Sequence, residues 1–241
     1  MKPEIMYDDT GKLYLRKSMV ESFNFCPRQF KNVYIDGNFV NETYIMQIGT
    51  RFHDFAYWFF DVCESIPVDR WTELVPSAFN VEEREWAHWW ITTEQERYRS
   101  CEGRRFQPAQ REMKLVDDTM LLTGILDRID YGDNEDELVI VEYKTGKSYH
   151  EESIIRQLSF YKLMWDNTIK LGEIKYMKYI NPRTQVIKMI PINPSMTDKV
   201  LMSISKVRKA IREENYPCKC SPVKHIICGM CDFDECGIYG T

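Results

Sequence analysis

The chain has 241 residues, 44% of them hydrophobic, which is enough to bury a sizeable core and too apolar for a disordered segment. Its 37 acidic and 32 basic residues leave a net charge of −5, which excludes a protein that coats nucleic acid through bulk positive charge but leaves room for a local basic groove. No run reaches the roughly 18 apolar residues of a membrane span, and Met1-Lys2-Pro3-Glu4 opens no apolar leader, so a soluble intracellular protein is expected.

The first hundred residues are mostly helical in period. Leu13 to Ile35 reads as a strand end followed by a helix, with Ser18 as N-cap and Glu21 three residues on as its capping-box partner. From Gly49, the residues Phe52, Phe55, Ala56, Phe59 and Phe60 recur at helical spacing, and a helix over Val81 to Arg99 places Trp86, Trp89, Trp90 and Thr93 on one face. The period then changes. Leu121 to Asp130 and Leu138 to Lys144 are short apolar runs either side of the acidic, turn-rich Gly132 to Glu137, a hairpin signature. Ser153 to Trp165 returns to helix, with Ile154, Ile155, Leu158, Tyr161 and Trp165 on one side. Ile174 to Ile180 and Gln185 to Ile190 form a second strand pair around Asn181-Pro182-Arg183-Thr184, and Met196 to Glu214 is a basic amphipathic helix. Its Lys199, Lys206, Arg208, Lys209 and Arg212 make either an ordinary solvated face or a surface that tracks phosphates. With no repeat and no low-complexity linker, residues 1–241 are expected to form a single mixed α/β domain. Its parts are a helical 1–105, a core of 106–195, and a basic helix with a cysteine-rich tail over 196–241.

The hairpin carries the chemistry. In a strand, side chains alternate faces, so Glu142 and Lys144 project to the same side, and strand pairing can bring Asp127 of Gly124-Ile125-Leu126-Asp127-Arg128 beside them. Two carboxylates can hold Mg²⁺ or Mn²⁺, and the lysine can orient a water or stabilise charge that develops on a phosphodiester. A Glu-x-Lys triplet alone is also an ordinary exposed pair at a strand end. Asp130, the other acid of this strand, lies on the opposite face from Asp127 if the strand stays regular. His53, one position off the Phe52/Phe55/Phe59 stripe, is either a partly buried structural histidine or an imidazole ligand of the kind Mn²⁺ accepts. Gln157 and Tyr161 share a helix face and could position the lysine or a phosphate.

Of the eight cysteines, Cys218, Cys220, Cys228, Cys231 and Cys236 crowd the C-terminus, whereas Cys26, Cys63 and Cys101 are scattered. In a reducing compartment, clustered thiols point to metal ligation more than to disulfides, and four thiolates suit zinc and iron–sulfur equally. Cys63 and Cys101 read as unligated buried thiols.

In order along the chain, Gly49 to His53, Gly124 to Arg128, Glu142 to Gly146 and Gln157 to Tyr161 resemble the motifs of the RecB-like branch of the PD-(D/E)xK nucleases. That branch includes AddB-type and CRISPR-associated exonucleases with iron–sulfur clusters. The family's pattern is a Gly-x-x-x-His helix, a Gly-x-x-Asp-Arg strand, a Glu-x-Lys strand ending in Thr-Gly, and a Gln-x-x-x-Tyr helix. The resemblance spans about Ser18 to Cys236. It implies a restriction-endonuclease-like core with a central mixed sheet, a helical N-terminal insertion and a C-terminal iron–sulfur staple. It further implies His53, Asp127, Glu142 and the Tyr143 carbonyl as ligands of Mn²⁺ or Mg²⁺, Lys144 as catalytic lysine, and Gln157 and Tyr161 in support. The implied activity is hydrolysis of DNA, usually from single-stranded ends, in recombination and repair, CRISPR adaptation or viral DNA processing.

The same family often binds a 4Fe-4S cluster through one N-terminal and three C-terminal cysteines, which match Cys26 and the Cys228, Cys231 and Cys236 of Cys-x-x-Cys-x-x-x-x-Cys. The last interval is one residue shorter than usual, and Cys218 and Cys220 are extra to the pattern. Joining Cys26 to Cys228 would close a loop of about 200 residues, worth roughly 5 kcal/mol by analogy with disulfide loop closure. Two other readings remain open on the sequence: a catalytically silent DNA-binding or assembly subunit, and a zinc-ribbon interaction module that happens to contain a Glu-x-Lys strand.

Overall fold

The computed structural model of the protein describes residues 5–38, 43–101, 105–134, 136–147, 150–169 and 172–219. The chain divides into two compact units, one made of residues 1–42, 116–124 and 194–241, the other of 43–115 and 125–193. Among the described residues, no helix is long and apolar enough to cross a membrane.

In the first unit the backbone of Leu15 is pinned on both sides. Its N–H donates to the Leu121 carbonyl and its carbonyl accepts from the Thr123 N–H, both at 2.9 Å. That pairing leaves Arg16 as the turning residue, so helix α1 (Lys17–Phe25) begins with Arg16 as N-cap and without a side-chain cap bond. The expected Ser18–Glu21 capping box therefore does not form, because Ser18 is already inside the helix. Cys26 is extended (φ −154°, ψ 118°) and ends α1 ahead of Pro27, whose ring disfavours helical backbone in the preceding residue. Helix α2 (Pro27–Phe30) and a π-helical turn (Lys31–Ile35) follow. The last described helix of this unit (Pro194–Arg212) buries Val200, Ile204, Val207 and Ala210, three and four residues apart as an amphipathic helix requires. Lys199, Lys206, Lys209 and Arg212 are exposed, whereas Arg208 turns inward and donates to the Met120 carbonyl. Arg208 thus braces the unit and leaves the basic face to the other four.

The second unit has a helical layer and a strand layer. Helix α3 (Tyr44–Val62) is capped by the Thr43 hydroxyl, which accepts from the Met46 N–H. After two 3-10 turns comes helix α4 (Val81–Ser100), and here a capping box does form, between Asn80 and Glu83. The two helices bury Phe52, Phe55, Phe59, Phe60, Trp90 and Ile91 around Trp71. Rings meet edge to face, as in Phe59 and Trp90 with centroids 5.0 Å apart. Such pairs add about 0.5–1.5 kcal/mol each beyond the area they bury.

The sheet has five strands in the order β1 (Gln110–Asp117), β2 (Leu122–Tyr131), β3 (Glu137–Tyr143), β4 (Glu173–Asn181) and β5 (Val186–Pro191). Strands β2 and β3 form the expected antiparallel hairpin, with Arg128 opposite Val141. Strand β4 runs parallel to β3, and helix α5 (Glu151–Thr168) supplies the crossover that parallel pairing needs. Strand β5 returns antiparallel to β4. In β3, Val139, Val141 and Tyr143 join the aromatic cluster. Alternation therefore turns Leu138, Ile140 and Glu142 to the other face, which explains a strand that is buried from Leu138 to Tyr143.

Candidate metal centre

Helix α3 places His53 where its exposed edge meets the strands. Nδ1 of His53 lies 3.6 Å from Oδ1 of Asp127 on β2 and 3.7 Å from Oε1 of Glu112 on β1. One donor atom from each of the three residues lies within 4.8 Å of the other two. Asp127 is held by its other oxygen, since the Tyr143 N–H donates to Oδ2 at 2.8 Å. Burial alone would lower the His53 pKa, but the Asp127, Glu112 and Glu142 carboxylates outweigh burial and raise it above the usual imidazole value. The pocket is therefore negative enough to favour a cation, and two carboxylates with an imidazole suit Mg²⁺ or, better, Mn²⁺.

Glu112 was not anticipated. Its segment carries little apolar alternation, and the outer half of β1 is exposed. Glu112 also has a positive φ of 45°, the left-handed region in which a non-glycine residue is strained. That reversal breaks the strict alternation of side chains. Consecutive residues Arg111 and Glu112 consequently both reach α3, Arg111 to the Tyr57 carbonyl and Glu112 to His53. An acid two strands from the Glu-x-Lys strand was the available signal, and it was a faint one.

Glu142 on β3 is 1% exposed and Lys144, the residue that follows the strand, 34%, with Nζ of Lys144 2.5 Å from Oε1 of Glu142. The trio of His53, Glu112 and Asp127 closes without Glu142, whose Oε1 is engaged by the lysine. The backbone after Lys144 is fixed from two directions. Asn181 donates through Nδ2 to the Gly146 carbonyl at 2.8 Å. From the helix side, a Cβ added at Gly49 would lie 3.0 Å from the Thr145 hydroxyl. A glycine four residues before His53 thus lets α3 lie against the Thr145-Gly146 turn, a physical reason for both motifs to occur together.

Gln157 and Tyr161 lie on α5. Gln157 donates to the Ser153 hydroxyl at 3.3 Å, while its buried Oε1 accepts no hydrogen bond among the described residues. Tyr161 is buried.

Asp130 does face away from Asp127, into a buried cluster. Arg128, 1% exposed, donates to both Asp130 oxygens at 2.6 Å, to Oε1 of Glu94 at 2.8 Å and to the Tyr143 hydroxyl at 2.7 Å. Burial opposes ionisation of Glu94, yet Arg128 and Arg97 hold its carboxyl well below the usual range. Tyr143 is thereby tied at both ends, its amide to Asp127 and its hydroxyl to Arg128.

Of the cysteines, Cys228, Cys231, Cys236 and Cys220 lie outside the described residues. Cys26 is buried and its thiol pKa is lowered. Burial would raise it, but backbone N–H groups of Lys219, Gln29 and Arg28 and the Cys218 side chain more than compensate. Lys219 also donates to the Asn24 carbonyl. The chain therefore returns to Cys26 immediately before its cysteine-rich end, and Cys26 sits in surroundings that favour the thiolate, the form that ligates metal. Cys63 is buried, and burial pushes its thiol up to about 12.

Comparison with known proteins bears on the family and the fold. The family model of the PD-(D/E)XK nuclease superfamily matches residues 17–236. Among solved structures, the fold is similar to that of a candidate exonuclease from Eubacterium rectale, with a TM-score of 0.51 and 11% sequence identity over 88% of this chain and 87% of that one. No curated protein matches the chain. A match over residues 17–236, with the carboxylates and lysine of the hairpin inside it, establishes that this chain belongs to the PD-(D/E)XK nuclease superfamily.

Proposed function

We propose that the protein is a Mn²⁺- or Mg²⁺-dependent deoxyribonuclease that acts on single-stranded DNA ends. The observation that carries this reading is the meeting of His53, Glu112 and Asp127 beside the Glu142–Lys144 pair. His53, Asp127, Glu142 and the Tyr143 carbonyl would hold the ion, and Glu112 joins them as a further carboxylate. A bound divalent ion supplies charge neutralisation to a phosphodiester and lowers the pKa of a water molecule. Glu142 holds the Lys144 ammonium in place, where it can donate hydrogen bonds to phosphate oxygens as their charge grows. Gln157, whose Oε1 accepts no hydrogen bond among the described residues, and Tyr161 would support the lysine side of the site.

The test is digestion of end-labelled single-stranded, duplex and circular DNA with Mn²⁺, Mg²⁺ or EDTA. Metal-dependent loss of linear single strands with circles spared supports the exonuclease; a folded protein that cleaves none of them is a silent binding or assembly subunit. His53→Ala should weaken Mn²⁺ binding and cleavage together, by roughly 10–100-fold. A calorimetric Mn²⁺ titration checks this: unchanged affinity in the folded variant would leave His53 a structural residue.

The reading includes a structural 4Fe-4S cluster on Cys26, Cys228, Cys231 and Cys236, supported by the thiolate-favouring surroundings of Cys26. Protein purified without oxygen should be brown and contain iron and acid-labile sulfide. Cys26→Ser should bleach it and expose the tail to protease, because the loop closure is lost. A colourless protein with one zinc would replace the cluster but keep the staple, whereas full colour in Cys26→Ser would overturn the staple.

A further inference from the structure

His53 is followed on α3 by Tyr57 and Asp61, four and eight residues on, so the three share one face of the helix. Its neighbours Phe55, Phe59 and Phe60 are buried, but Tyr57 keeps 43% of its surface open to solvent. One exposed tyrosine is unremarkable by itself. This one, however, is immobilised: the Arg111 guanidinium carbon lies 4.6 Å from the ring centroid, with Arg111 donating to the Tyr57 carbonyl and, at 2.7 Å, to Asp61. Asp61 neutralises the arginine, so the pair offers a braced aromatic surface more than a bare positive charge. Tyr57 and Arg111 also line the same narrow crevice as the candidate ligands His53, Glu112 and Asp127, so the platform stands at the edge of that site.

We propose that Tyr57, braced by Arg111, is a base-stacking platform on which a nucleobase next to the scissile phosphate lies, and that it selects single-stranded DNA. This rests on the nuclease reading above and names the feature that would distinguish its substrates. A phosphate held through a divalent ion at His53, Glu112 and Asp127 would bring an adjoining base toward the next turn of α3, where Tyr57 stands. In a duplex that base is paired and stacked on its neighbours, so its face is unavailable. In a single strand the face is free, and every base has one, so the platform discriminates strandedness without reading sequence.

The experiment is fluorescence anisotropy in Ca²⁺, an oxygen-ligated ion that can hold a phosphate at the carboxylates, on probes shown intact by gel electrophoresis, which separates binding from cleavage. The probes are a labelled single-stranded oligonucleotide, the same strand built from abasic residues, and a blunt duplex of the same sequence. Tyr57→Leu should weaken binding to the ordinary strand by roughly 5- to 150-fold, the range of one base–aromatic stack, and leave the abasic strand and the duplex unchanged. Tyr57→Phe, which keeps the aromatic face, should bind as the parent does. Equal losses on ordinary and abasic strands, no loss on either, or a Tyr57→Phe as weak as Tyr57→Leu would overturn the platform and leave Tyr57 and Arg111 as a clip between α3 and β1. Should Tyr57→Leu fail to fold, the parent decides: it must prefer the ordinary strand to the abasic one by a comparable factor, and equal binding overturns the proposal. A parent that cleaves in Mn²⁺ but shows no base-dependent binding loses only the platform. A parent that binds base-dependently but never cleaves loses only the nuclease reading.

Discussion

Lys144→Ala is expected to reduce metal-dependent DNA cleavage by roughly 100- to 1,000-fold or more, the scale for removing one preorganised charged donor from a transition state. The loss should fall on kcat more than on KM, because the ammonium is asked to act on charge that grows only during the reaction. Removing it leaves the carboxylate of Glu142, 1% exposed, without its lysine. Melting and circular dichroism should therefore be measured in Mn²⁺, where the ion can take over part of that neutralisation. A folded Lys144→Ala protein that cleaves at the parent rate would remove Lys144 from the mechanism. Asp127→Ala and Glu142→Ala should match it in cleavage if, as proposed, each takes a ligand from the same ion.

Arg128→Met should have the largest effect on stability, about 3–5 kcal/mol, the usual result when one member of a buried ion pair is deleted and its partners are stranded. Here two carboxylates, Glu94 and Asp130, and the Tyr143 hydroxyl lose their common donor at once. Lysine cannot reproduce the planar fork that reaches both Asp130 oxygens, so Arg128→Lys should recover only part of the loss. Urea denaturation of the three proteins checks the order parent, Lys, Met. A Met variant as stable as the parent would mean that the cluster contributes nothing net to folding.

How far the molecule could be read beforehand depended on where its signals sit. The β2–β3 hairpin was legible because its apolar runs are short and its connector is made of turn residues. Helix α3 was legible because five apolar residues recur at one spacing. The exception at its edge, His53, stood out for the same reason. Strand β1 was not legible: its exposed half alternates too weakly, and the feature that turns Glu112 toward His53 is a backbone angle, which composition does not reveal. The Ser18-x-x-Glu21 pattern forms no capping box and Asn80 does, because backbone pairing at Leu15 decides where α1 starts. The Arg128 cluster was invisible for a different reason. Glu94 is 34 residues away on α4, and periodicity identifies an apolar face without saying which charged residues will be buried with it.

Asp127 and Arg128 are neighbours that turn to opposite faces of β2, the one toward the candidate metal site, the other into the aromatic layer. A hairpin paired one residue out of step would exchange those faces. Asp127 would then enter a layer of rings with no cation to meet it, and Arg128 would be drawn away from Glu94 and the Tyr143 hydroxyl. Each displacement buries or strands a charge at a cost of several kcal/mol. During folding, then, a misaligned β2–β3 pair is rejected twice over, and the groups that suit the hairpin to its chemistry also proofread its pairing.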